Sequence, residues 1–513
     1  MIRPESTAVD PERHIRLDAI HSKIRECPVH SGFIRIGGQG IQIILALVSG
    51  MVLARLLTPE DFGLFALVNS LIALVNTFRD FGLRMATVHQ ETINHQQVSA
   101  IFWLNLKLNF LVVLFIILMA PVIAWFYSDA RLTAITFILA IGIFGLNLST
   151  QHESLLIRQM RFSTLTFIEL GSMFIGIAVG IGLSLLEFGY WALVYQLFVT
   201  NLTKSAAIWL FCGWTPTKFS SFSVPSPDIR SLLSYGGHYT GFKVLTHLSQ
   251  KLDVILLGYV GGANGVGLYQ NAFRWAFFPL QQLYAPLLSV AVSGLSRRQN
   301  DTVAYRNAIK KGLLPVLSVI MPVLLFMFVE AQSVILLLLG NQWLEAVPLF
   351  RLLSLAAFAT SMSRVTKWLY LSQGETRRQF QWGLVSSPFM VLALVIGVQW
   401  GAYGVATSFT VATYFLMFPE LAFCLSRSHL SGRDFLSIIW RPVVASMMAT
   451  AFLFFVSSAV LPESGIMIVE LLVKLLLFSI VYLLLWVVLP GGRQAIKDVW
   501  QLLVVLREKD TDE

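Results

Sequence analysis

About fourteen apolar stretches succeed one another between Ser31 and Leu489, each long enough to cross a bilayer. A helix needs about 20 apolar residues to traverse the hydrocarbon layer, and the runs Ile101 to Ala124 and Met467 to Leu489 supply them without a break. A water-soluble fold is excluded by the balance of surfaces. With 56% hydrophobic residues, 12% aromatic and 13% charged in 513 residues, there is too little polar side chain to cover such a core. The expected fold is therefore an all-α polytopic membrane protein.

The spans read as 32–57, 62–76, 98–126, 132–156, 165–186, 191–214, 232–260, 268–295, 313–329, 347–371, 382–398, 405–425, 438–461 and 467–489. Loop charge tests this reading, because cytoplasmic connections hold the Lys and Arg. One set of alternate connections collects Arg79 and Arg84, Arg158 and Arg161, Lys218 and Arg230, Arg297, Arg298, Lys310 and Lys311, Arg377 and Arg378, and Arg427 and Arg433. Both tails join that set through Arg13, Arg16, Lys23, Arg25, Arg493 and Lys497. The opposite set holds Glu60, Asp61, Asp129, Glu187, Glu330, Glu345 and Glu463, with Arg131 as its exception. An even number of helices with both termini in the cytoplasm follows. The net charge of +9 is then a matter of topology, not of polyanion binding.

The N-terminal residues 1–30 lack an apolar h-region and read as a cytoplasmic tail rather than a cleavable signal peptide. The stretch 215–230, with Pro216, Pro225 and Pro227 among serines, reads as a cytoplasmic linker between an N-lobe (31–214) and a C-lobe (231–430). A terminal helix pair (431–490) and a cytoplasmic tail (491–513) complete the chain. Sliding the chain along itself places Gly32 on Gly236, Gly37 on Gly241, Leu53 on Leu257, Gly63 on Gly267 and Leu64 on Leu268 without a gap, which favours a duplication. Two six-helix lobes would then be related by a pseudo-two-fold axis along the membrane normal, with a central cavity where they meet.

Charges at bilayer depth carry the functional signal, since each costs about 2.5–3.5 kcal/mol at the midplane and needs a partner or water. The seventh span holds His238, Lys243, His247, Lys251 and Asp253. Lys243, His247 and Lys251 recur every fourth residue, so they form one stripe suited to lining a wet cavity. Lys107, Lys204 and Arg364, with Lys367, extend a mainly cationic set that suits an anionic ligand. Glu169 and Asp253 are the coupling-ion candidates, set against the plainer reading that each neutralises a nearby cation. Glycines at 37, 38, 40 and 50 in the first span and at 236, 237, 241 and 258 in the seventh weaken the corresponding helices of both halves. Gly176 and Gly180 form a GxxxG pair best read as close helix packing.

Cys27, Cys212 and Cys424 are far apart and show neither a disulfide framework nor metal-ligand spacing, so no metal or other cofactor is expected. No GxxxxGK[ST] loop is present, which excludes a nucleotide-binding cassette. A membrane-embedded synthase or acyltransferase would need a catalytic acid, base or nucleophile at a loop mouth, and no such candidate stands out. The chain reads as a transporter and not as an enzyme.

The stretch Ala54-Arg55-Leu56-Leu57-Thr58-Pro59-Glu60-Asp61-Phe62-Gly63-Leu64-Phe65 resembles the turn after the first helix in the polysaccharide transporter family, the Wzx-type flippases of the MOP superfamily. Asp80-Phe81-Gly82-Leu83, Leu156-Ile157-Arg158-Gln159-Met160-Arg161-Phe162 and Gly265-Val266-Gly267-Leu268-Tyr269 are similar to that family in the same order. The resemblance implies two lobes alternating between cytoplasmic and periplasmic openings of the inner membrane. It also implies an undecaprenyl-diphosphate-linked oligosaccharide cargo for O-antigen, capsule or exopolysaccharide assembly. A polysaccharide polymerase and a chain-length regulator are the implied partners of a monomeric protein. On that view Lys243, His247 and Lys251, then Lys107, Lys204 and Arg364, meet the headgroup. A lipid II flippase of the same superfamily shares this architecture, as does a multidrug antiporter, although an exporter of cations calls for acidic residues in the cavity.

Overall fold

The computed structural model describes residues 28–76, 93, 95–217, 227–299, 301–459, 467–490 and 492, with side chains from 37 onward except 74–76, 227–250, 285–287, 289–290, 293, 376 and 457–459. The tail arginines, Arg79, Arg84 and the Asp80-Phe81-Gly82-Leu83 motif lie outside the described residues. Every expected span falls on helix. In chain order these are α1 (Pro28–Leu56), α2 (Pro59–Asn76), α3 (His95–Phe126), α4 (Arg131–Asn147), α5 (Thr150–Arg158), α6 (Phe162–Leu185), α7 (Trp191–Cys212) and α8 (Pro227–Ser296). They continue with α9 (Thr302–Val329), α10 (Ala331–Leu338), α11 (Val347–Ser363), α12 (Val365–Ser372), α13 (Thr376–Gly397), α14 (Gly401–Leu425), α15 (Gly432–Ala459) and α16 (Met467–Val488). Among the described residues there is no strand, and ten helical stretches are long and apolar enough to cross a membrane.

The chain divides into two compact units, Met1–Val266 and Gly267–Glu513. The division falls within α8 just beyond Gly262, whose φ of 63° and ψ of −172° interrupt the helix. Residues 251–266 pack inside the first unit. Gly258 lies against Leu67 of α2 and against Tyr127, whose hydroxyl points at the carbonyl of Ile255 at 3.5 Å. Burial pushes the Tyr127 phenol up to about 12, so it stays a donor. We retain the six-plus-six division at 215–230 as a proposal about the duplication.

The Thr58-Pro59-Glu60-Asp61-Phe62-Gly63 turn has a local explanation. Asp61 Oδ2 accepts from the Thr58 N–H (2.9 Å) and hydroxyl (2.7 Å), while Thr58 Oγ1 accepts from the Asp61 N–H (3.3 Å). This is a reciprocal capping box, with Pro59 at the first helical position, where its missing N–H costs nothing. Ser431 and Asp434 repeat the box at the start of α15. Gly63 itself is set by packing: a methyl group there would run into the carbonyl oxygen of Ala263. Gly63→Val is expected to cost about 1–3 kcal/mol through overpacking. A lowered thermal midpoint in detergent would report this, with Gly37→Ala as the control, because a methyl group at Gly37 meets nothing within 4 Å.

Arg131, the exception in the charge pattern, is neutralised where it stands, with Nη2 2.6 Å from Glu60 and 2.7 Å from Asp129. The Arg131 guanidinium holds the Asp129 carboxyl below the usual carboxylate range.

The fourth and tenth spans are both broken. The fourth divides into α4 and α5 at Leu148 and Ser149, and the tenth into α11 and α12 at Arg364. Both end in a left-handed residue after a glutamine: Met160 (φ 55°) after Gln159, and Gly374 (φ 72°) after Gln373. Buried Leu155 and Leu369 precede those glutamines at the same spacing.

In the second unit, the terminal pair α15/α16 packs on α9 through an apolar seam of Phe326, Ala445, Ala449, Leu453, Phe478, Tyr482 and Trp486. Ion pairs close the seam at both ends. Asp434 meets Lys310 (3.4 Å) and Arg306 (3.6 Å) at one, and Lys474 meets Glu330 (3.1 Å) and Glu470 (2.8 Å) at the other.

Candidate functional site

In the first unit three membrane-depth charges meet at one place. Lys204 on α7 lies 3.1 Å from Glu169 on α6 and 3.8 Å from Glu153 on α5, while Gln42 on α1 donates to the other oxygen of Glu169 at 3.1 Å. Two carboxylates thus share one ammonium. The backbone allows it because α6 and α7 approach closely one turn away: Gly176 and Gly180 face Thr200 and Gln196 with no room for a methyl group. The GxxxG pair is thus a packing device, as its spacing implies.

An aromatic cap adjoins the cluster. His152, fully buried, lies tilted against Trp209 at 4.0 Å between ring centroids, and its Nε2 lies 3.1 Å from the carbonyl of Trp214. Trp214 Nε1 donates to His95 (3.0 Å), Trp103 Nε1 to the Thr217 carbonyl (2.8 Å), and the Thr217 N–H to Ser99 (3.1 Å). The start of the 215–230 linker is thereby fastened to the N-terminal turns of α3.

The second unit holds a different set. Arg364 sits at the break between α11 and α12, with its guanidinium 5.6 Å from the ring centre of Tyr284, whose hydroxyl donates back to the Arg364 carbonyl. That bond satisfies a carbonyl at the helix break. Lys367 follows on α12 and is exposed. Glu420 on α14 accepts from Thr366 at 2.8 Å and interacts electrostatically with Arg364 and Lys367.

Among the residues singled out from the sequence, the structure brings Lys204 to Glu169, and places Arg364 and Lys367 together. Lys107 is exposed on α3, on the face bearing Leu111, Leu114 and Leu118, opposite buried Asn105 and Asn109. It makes no ion pair with the described residues. Lys251 is half-buried, and Asp253 is buried with its Oδ1 accepting the Val254 N–H at 2.7 Å. Lys243 and His247 fall on α8 backbone whose side chains lie outside the described residues. The sequence reading missed Glu153, Glu420 and Lys474. Glu420 and Lys474 are ionisable residues inside apolar runs, which is the signal by which they are found, whereas Glu153 sits among the polar residues Gln151, His152 and Ser154.

Comparisons with known proteins agree on the class. The lipopolysaccharide biosynthesis protein WzxC of Escherichia coli (strain K12) is 25% identical over 79% of this chain and 83% of that protein. The succinoglycan biosynthesis transport protein ExoT of Rhizobium meliloti (strain 1021) is 25% identical over 69% of this chain and 71% of that protein. The solved structure of the lipid II flippase MurJ, in an inward closed conformation, superposes with a TM-score of 0.70 at 13% identity, covering 90% of this chain and all of that one, and so shares its fold. The family described as polysaccharide biosynthesis protein matches residues 52–348, more than half of the sequence, and the chain belongs to that family.

Proposed function

We propose that this protein turns undecaprenyl-diphosphate-linked oligosaccharide repeat units across the cytoplasmic membrane by alternating access, for O-antigen, capsule or exopolysaccharide assembly. The reading is supported by relatives named for the biosynthesis and transport of such polymers. The observation that carries it is the presence, within membrane helices, of cations with no close carboxylate partner. Arg364, Lys367 and Lys251 make no ion pair within 4.0 Å with the described residues, whereas Lys204 and Lys474 each hold two carboxylates. A cation without a fixed partner at bilayer depth calls for a mobile one. A diphosphate supplies charge-assisted hydrogen bonds there, while a polyprenyl tail stays in lipid.

On this reading Lys243, His247 and Lys251 are the first candidates for headgroup contact, with Lys107 and Arg364 next. Lys204, committed to Glu153 and Glu169, serves to hold the coupling-ion candidate Glu169, and Asp253 is the second such candidate. Both termini lie in the cytoplasm. A polymerase and a chain-length regulator are the partners this activity calls for, and the protein acts as a monomer without chemical catalysis.

Replacing Lys243 and Lys251 by alanine is expected to leave membrane insertion intact and to abolish surface polysaccharide. Membrane abundance by immunoblot and polymer by sugar analysis of intact cells report the two. Normal polymer at normal abundance would remove the headgroup assignment.

A further inference from the structure

Glu420 has no place in the reading so far. It lies within α14 at membrane depth and is half-buried, yet no lysine or arginine among the described residues stands within 4.0 Å of it. Its one hydrogen bond is from Thr366, at 2.8 Å. Thr366 is the residue before Lys367 and follows Val365, which adjoins Arg364, so the carboxylate is tethered beside both cations without salt-bridging either.

The first unit has a counterpart with the signs reversed. Glu153 and Lys367 stand equally far before Gln159 and Gln373, the glutamines that precede the two left-handed residues. Glu153 on its broken span faces Lys204 on the last helix of the first six, and that pair is closed. Lys367 on its broken span faces Glu420 on the last helix of the second six, and that pair is open. An open pair whose acid has a second, neutral partner is suited to exchange: the carboxylate can give up the cations and still keep a hydrogen bond.

We infer that Glu420, already held by Thr366, is the resident counter-ion beside a diphosphate subsite formed by Arg364 and Lys367, and stays on Thr366 when an anionic headgroup takes both cations. The inference rests on the transport reading and deepens it. A singly charged anion gains little by replacing one carboxylate with another monovalent group. A diphosphate brings more charge and can meet the Arg364 fork with two oxygens, so it wins the exchange. Glu420 thereby sets selectivity for multiply charged headgroups over the monoanionic lipids that fill the membrane.

Purified protein in detergent tests this by calorimetric binding of inorganic pyrophosphate, of polyprenyl diphosphate in mixed micelles, and of the monoanion dimethyl phosphate. Wild type is expected to bind both diphosphates and to discriminate strongly against dimethyl phosphate. Equal binding of dimethyl phosphate by the wild type would overturn the inference without any variant. Glu420→Gln keeps the shape and the Thr366 contact. It is expected to tighten pyrophosphate by about tenfold, or about 1.4 kcal/mol, and to admit dimethyl phosphate. Affinity that is unchanged or weaker, which a merely structural role predicts, would overturn it. The gain must disappear when Arg364→Gln and Lys367→Gln are added, and a gain that survives them places the effect elsewhere and overturns it too. If wild type binds polyprenyl diphosphate and Glu420→Gln changes nothing, the counter-ion assignment falls and transport stands. If wild type binds neither diphosphate, the transport reading falls first.

Discussion

Replacing Lys474 by methionine is expected to cost about 3–5 kcal/mol of stability, the penalty for leaving a buried charge without its partner. Lys474 lies within α16, with its side chain 11% exposed, and both Glu330 (6% exposed) and Glu470 depend on it. Ser333 Oγ also donates to Glu330 at 2.9 Å, but a hydroxyl does not neutralise a carboxylate. Thermal unfolding in detergent and the amount of protein in membranes should both fall. The triple variant Lys474→Met, Glu330→Gln, Glu470→Gln should recover most of the loss, because removing every charge also removes the desolvation that charges incur. A single variant that melts with the wild type would show that the triad is open to water and contributes nothing.

Lys204→Met is expected to be the second most damaging substitution. Glu153 and Glu169 would both lose the ammonium they share. The stability cost should be smaller than at Lys474, about 2 kcal/mol, because the Glu169 side chain is 37% exposed and water screens it. Adding Glu153→Gln should restore stability, since a single carboxylate held by Gln42 remains. Polysaccharide export should nevertheless stay low, because the Glu169–Lys204 pair assigned to coupling is still broken. Wild-type export from that stable double variant would reduce the cluster to a purely structural role.

Much of the fold was legible because hydropathy is a local property. The apolar runs and the GxxxG pair correspond to helices and contacts in the structure. The two helix breaks were not legible. The apolar runs continue through Leu148 and Arg364, and what shapes the second break is a tertiary partner, the Tyr284 hydroxyl on the Arg364 carbonyl. The cationic set was visible as a composition, but its sorting into paired and unpaired members was not. Lys204 and Arg364 look alike in sequence. One is held between two carboxylates from different helices, and the other stacks on a tyrosine. The roles of Glu153, Glu420 and Lys474 were not legible because each has a partner from a distant span.

The clasp of α15 and α16 on α9 bears on how far the chain can be shortened. Cutting after residue 431 would strip Phe326 of its covering aromatic and leave the buried Glu330 without its ammonium. The last two helices act as a buttress rather than an appendage, and a twelve-helix remnant would need both positions rewritten before it could stand alone.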